Sequence, residues 1–146
     1  MNITWTQDLE TGIAVIDEDH KSIIEFYNKI YQFYDGGADE VLLERAITDF
    51  RFQFSLHFLK EENFMAELRY PDFESHAKEH QIMTDLLDKF SLGGLNREES
   101  CHKIAFLVIQ WISSHLEGAD RRLANFARDR LPVPPPERVE ASMPGR

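Results

Sequence analysis

Between residues 39 and 69 the apolar side chains Leu43, Ile47, Phe50, Phe54, Phe64 and Leu68 recur at steps of three and four, the period of one helical face. The stripe continues unbroken through His57 and Glu61, so two polar residues stand where core residues are expected. A helix over this range runs to roughly 45 Å, long for a globular protein and ordinary for a bundle. The same period appears three more times. Ile23, Ile24, Tyr27, Ile30, Tyr31 and Tyr34 share a face with His20 from about residue 17, until Asp35-Gly36-Gly37 stops the helix. Phe73, Met83, Leu87 and Phe90 share one with His76 and His80, between Tyr70-Pro71 and Gly93-Gly94. Ile104, Val108 and Trp111 line up with His115 in a fourth helix that starts near residue 97. Four amphipathic helices joined by short turns predict an all-α, up-down-up-down four-helix bundle. Residues 1–16 are mixed, carry Gly12, and read as an ordered arm rather than a long helix.

Length and composition narrow the picture. The chain has 146 residues, enough for one domain with one core, assigned here to residues 1–130. Residues 131–146, with Pro132-Val133-Pro134-Pro135-Pro136, bury little surface and are expected to form a flexible tail. The net charge of −10 argues against nucleic acid and anionic membrane surfaces as partners. Residues 1–10 lack a signal-peptide pattern, and no apolar stretch approaches the ~20 residues that span a bilayer, so a soluble, cytoplasmic protein without membrane insertion is expected. Cys101 is the only cysteine, which excludes an internal disulfide; it falls on the inward side and reads as a buried, inert thiol.

The polar residues on the inward faces fall in a fixed order: His20, His57-x-x-x-Glu61, His76-x-x-x-His80 and His115-x-x-x-x-Asp120. A single histidine on an apolar face is ordinarily a satisfied core residue. Here five of the six histidines lie on inward faces spread over all four helices, and the sixth, His102, falls off the stripe and reads as a surface residue. Residues four apart on a helix aim at the same small volume, so His57 with Glu61 and His76 with His80 form two clamps. His115 and Asp120, five apart, diverge on an ideal α-helix, so the chain near Gly118 must unwind or bulge if both are ligands. Imidazole and carboxylate without thiolate suit iron or manganese, and seven donors exceed what one ion takes, so two metals bridged by the carboxylates are expected. A buried Glu61 among phenylalanines also costs several kcal/mol unless a cation compensates it.

From about residue 5 to residue 120 the chain resembles the hemerythrins, and specifically the single-domain bacterial ones. Besides the seven donors, the likeness rests on Trp5, Gly12-Ile13, Ile16-Asp17, His57-Phe58 followed by Glu61-Glu62 and Met65, Tyr70-Pro71, and Trp111-Ile112. The resemblance implies two irons sharing an oxo or hydroxo group and bridged by Glu61 and Asp120. His76, His80 and His115 then complete a six-coordinate iron, while His20 and His57 leave an open position on the other for O2. It implies reversible O2 binding, for transport, storage or delivery, by a binding protein rather than an enzyme. A redox or O2 sensor and a diiron oxidase or peroxidase are the alternatives. Phe54, Phe58, Ile112 and Leu116 are candidates for an apolar lining, and Lys60 and Glu62 read as solvated face. The chain departs from many relatives in Asp19, where glutamine is expected, and in its proline-rich tail.

Overall fold

A computed structural model describes residues 2–89 and 96–131, with Arg97 described in its backbone only. Phe90, Gly93-Gly94 and the proline-rich segment after Leu131 lie outside the described residues. The architecture is the expected all-α four-helix bundle: α1 (Ala14–Asp35), α2 (Glu40–Leu68), α3 (Phe73–Lys89) and a fourth rod. That rod comprises α4 (Arg97–Gln110), a π-helical segment (Trp111–Asp120) and α5 (Arg121–Arg128), one running into the next. In space α1 packs on α2 and α4, and α2 packs on α3. Among the described residues no helix is long and apolar enough to cross a membrane.

The helix ends follow local chemistry. Asp39 caps α2 by accepting from the amide of Leu42 at 2.9 Å, and Asn96 caps α4 by accepting from Glu99 at 2.9 Å. Beyond α1, Gly37 adopts φ +66, a conformation that disfavours any residue with a Cβ. Arg69 takes the left-handed cap of α2 just before Tyr70-Pro71.

The arm is tied to the bundle more firmly than its composition suggests. Asp17 sits in the first turn of α1 and accepts from Thr11 N at 2.7 Å, Thr11 Oγ1 at 2.8 Å and Gly12 N at 3.0 Å. Arg128 and Arg121 of α5 donate to the carbonyls of Thr11 and Asp8, at 2.8 and 2.7 Å. Helix α1 therefore begins three residues before the expected Asp17, which leaves that carboxylate facing the arm's amides near the positive end of the helix dipole.

Two apolar clusters sandwich the donor layer. The larger one holds Ile23, Tyr27, Ile30, Leu43, Ile47, Phe50, Phe54, Val108 and Trp111; the smaller one holds Ile13, Ile16, Met65, Tyr70, Leu123 and Ala127. Past Glu61 the buried edge of α2 shifts to Met65, so Phe64 and Leu68, expected in the core, are only half-buried against the smaller cluster.

Candidate metal centre

The structure brings all seven candidate donors together between the two clusters, and every one is buried. They form two overlapping groups, each with donor atoms within 4.8 Å of one another: Glu61, His76, His80, His115 and Asp120, and His20, His57, Glu61 and Asp120. Both groups share the carboxylates of Glu61 and Asp120.

Asp120 reaches the layer because the fourth rod widens. Hydrogen bonds that run i to i+5 return a chain to nearly the same face after five residues, so the π segment places His115 and Asp120 side by side, with Nε2 and Oδ1 3.0 Å apart. The hydroxyls of Ser113 and Ser114 bond back to the carbonyls of Ile109 and Gln110, at 2.9 and 2.5 Å, where the widening begins. Gly118 lies within it without strain. Its φ is not positive, and a Cβ there would make only ordinary contact with Arg122 Nη1 at 3.6 Å.

The nitrogens converge as ligands do. His115 Nε2 stands 3.2 Å from His76 Nε2 and 3.1 Å from His80 Nε2. Asp120 Oδ1 lies 3.0 Å from His76 Nε2, and Glu61 Oε2 lies 3.1 Å from His80 Nε2. Across the layer His20 Nε2 is 3.1 Å from Asp120 Oδ2, and His57 Nε2 is 3.7 Å from Glu61 Oε2. Donors about 2.1 Å from one ion at right angles are about 3.0 Å apart, so the spacing in the larger group is that of donors able to share one ion.

Three further carboxylates stand behind the imidazoles, of which the sequence singled out Asp19 but not Glu62 or Glu79. Glu62 Oε1 accepts from His80 Nδ1 at 3.0 Å, and Glu79 Oε2 accepts from His115 Nδ1 at 2.7 Å. Asp19 Oδ2 faces His57 Nδ1 at 3.7 Å while Lys60 donates to its other oxygen at 2.7 Å. Glu62, expected on the solvated face, is thus an orienting group. Its position beside Glu61, like that of Glu79 beside His80, was the available signal, since a residue next to a ligand flanks the back of that layer. With protons on Nδ1, His80 and His115 turn lone pairs toward the centre, where they repel unless a cation sits among them.

Protein groups alone compensate this charge in an unusual way. Burial raises the Glu61 carboxyl and Asp120 adds to that, but contacts with His76 and His80 outweigh both and hold it at about 2. Burial likewise opposes charge on Asp120, yet His115, His20 and His76 keep it well below the carboxylate range. Burial disfavours the His76 imidazolium, but Asp120 and Glu61 raise it to about 9; His115 is raised through Asp120, with Glu79 adding to the effect. Several buried atoms nevertheless lack any aligned hydrogen bond: His20 Nε2, His57 Nε2, Glu61 Oε1 and both Asp120 oxygens. Short contacts without hydrogen-bond alignment fit groups aimed at common points between them, so the residues present suit a pair of metal ions.

Aromatic rings enclose the layer. Phe58 stacks on His80 at 4.1 Å and 12°, and Trp111 meets His20 edge-on at 5.1 Å. Phe54 and Leu116 are fully buried, whereas Ile112 is half-buried. His102 is exposed, and Cys101 is buried.

Residues 11–127 match the model of the hemerythrin HHE cation-binding domain. The chain belongs to the hemerythrin family. It is 26% identical over 133 residues to the bacteriohemerythrin of Stenotrophomonas maltophilia (strain R551-3), covering 88% of this chain and 84% of that protein. A bacteriohemerythrin of Clostridium acetobutylicum is 25% identical over 124 residues, covering 80% of this chain and 95% of its own. The myohemerythrin of Theromyzon tessulatum is 27% identical over 116 residues, covering 80% and 86%. Membership implies a non-haem iron-binding protein, and the His/Glu/Asp cluster is the group that could hold the metal.

Proposed function

We propose that this hemerythrin-family chain binds dioxygen reversibly at a non-haem diiron centre, as a carrier, store or delivery protein rather than an enzyme. In this reading Glu61 and Asp120 bridge the irons, with an oxo or hydroxo group between them. His76, His80 and His115 hold one iron, and His20 and His57 hold the other. Two irons supply the pair of electrons that O2 takes up on binding and returns on release.

The observation that carries the reading is the coincidence of the donor-poor side with an opening. The group containing His20 and His57 offers four donors against five, which leaves room for an exogenous ligand. A cavity of about 250 Å³ reaches His57 and Glu61 on that side, with Val15, Ile16 and Phe64 as its apolar wall and Asp19, Lys60, Asn63 and Glu67 at its rim. A hollow at His115 approaches that ring together with Glu79, whose carboxylate holds Nδ1, so it meets the back of the ligand rather than its donor atom. Phe54, Phe58, Trp111 and Leu116 are buried around the centre, and apolar surroundings on that face favour release of O2 over loss of reduced oxygen. Five imidazoles against two carboxylates also set this layer apart from carboxylate-rich diiron enzyme sites.

Metal analysis followed by reduction under argon, admission of O2 and purging tests the proposal. Two irons per chain, with a visible band that rises with O2 and fades on purging, is the expected result. A band that decays irreversibly to the ferric form would replace the carrier reading with an oxidase or redox-sensing one.

A further inference from the structure

The two halves of the donor layer differ in what stands behind each imidazole. In the five-donor group His80 and His115 are anchored by Glu62 and Glu79, at 3.0 and 2.7 Å, while His76 Nδ1 has no hydrogen-bond partner. In the four-donor group the support is weaker: His20 has none, and His57 has only a long contact. His20 Nδ1 has no hydrogen-bond partner, and Asp19 stands 3.7 Å from His57 Nδ1, a long contact, while Lys60 donates to its other oxygen at 2.7 Å. Charge sharpens the difference. Glu61 and Asp120 belong to both groups, so the first divalent ion to arrive takes up both negative charges. The second meets two imidazoles, carboxylates already neutralised, and a neighbouring cation.

We propose that the two positions load in order, the three-histidine position first, with affinities at least about 100-fold apart. The inference rests on the seven donors being ligands. A carboxylate behind a ligating histidine is worth about 10–100-fold in metal affinity, so two close anchors against one long contact, together with the additional imidazole, account for the separation. At scarce metal the chain then holds one ion in its three-histidine position, and the two-histidine position loads and unloads with the free divalent cation. Because O2 uptake draws an electron from each iron, the oxygen-binding fraction of the protein follows occupancy of that second position.

Anaerobic calorimetric titration of the metal-free full chain with Co²⁺ at pH 7.5, with visible absorption followed in parallel, tests the order. Two resolved steps of one ion each are expected. Glu62→Ala or Glu79→Ala should weaken the first step about 10–100-fold without loss of helicity, and Glu62→Gln, which still accepts from His80, should restore it. His20→Ala should remove the second step and leave the tight one. Lys60→Ala, by releasing Asp19 toward His57, should tighten the second. Entry of both ions in one cooperative step, or loss of the tight step in His20→Ala, would overturn the ordering. No Co²⁺ uptake by any form would overturn the ligand assignment itself, a result distinct from either.

Discussion

Raising the pH from 6.5 to 9 should loosen the metal-free protein and tighten its hold on metal. His76 in the folded chain carries its proton up to about 9, against an ordinary 6.5, because burial is outweighed by Asp120 and Glu61, which contact Nε2 at 3.0 and 3.3 Å. A group whose folded value is raised contributes stability that is fully present below 6.5 and is lost as pH climbs through about 9. The gap amounts to roughly 3 kcal/mol at most. On the acid side Glu61, held at about 2 against 4.5, contributes stability present above 4.5 that disappears as pH falls toward 2, so the metal-free form should be firmest between these limits. Metal must displace the His76 proton, so affinity should rise about tenfold per pH unit between about 7 and 8.5, and more where the His115 proton is also displaced. Denaturant unfolding of metal-free protein at pH 6.5 and 9 measures the first effect. Calorimetry in two buffers of different ionisation enthalpy counts the protons released in the second. Metal-free stability that is level from pH 6.5 to 9, or uptake at pH 7.5 without proton release, would refute the argument.

Four further outcomes follow from single sites. His57→Ala should abolish O2 binding while the three-histidine position keeps its ion, and Glu61→Ala should lose both metals; metal content and O2-dependent absorbance check each variant. Gly118→Ala should raise stability by about 0.5–1 kcal/mol with metal retained, since the added Cβ meets only the end of Arg122; a melting curve below that of the parent would mean the π segment needs glycine after all. Asp17→Ala should cost about 2–3 kcal/mol and release the arm, seen as new proteolytic cleavage within residues 2–12.

How much of this was legible in the sequence depended on whether a signal was periodic. The four helices, the buried histidines and the i,i+4 clamps all follow from one rule of helical geometry, and they appear where that rule puts them. The i,i+5 pair broke the rule, which marked a distortion in the chain near Gly118, and the π segment Trp111–Asp120 contains it. What the sequence did not mark is its start, where Ser113 and Ser114 take up carbonyls of the preceding turn, since serine hydroxyls carry no periodic mark. The orienting carboxylates were missed for a related reason. Glu62 and Glu79 lie on the polar side of their helices, where a period of 3.6 assigns solvent, yet the imidazoles of His80 and His115 present Nδ1 toward that side. A ligand histidine has two nitrogens about a ring's width apart, so a site built on helices draws its donors from the inward face and its supports from the boundary beside it. The boundary of a metal-bearing stripe is therefore where sequence reading should next look, and in this chain that boundary, through Asp19, Lys60, Glu62 and Glu79, distinguishes two positions that share their carboxylates.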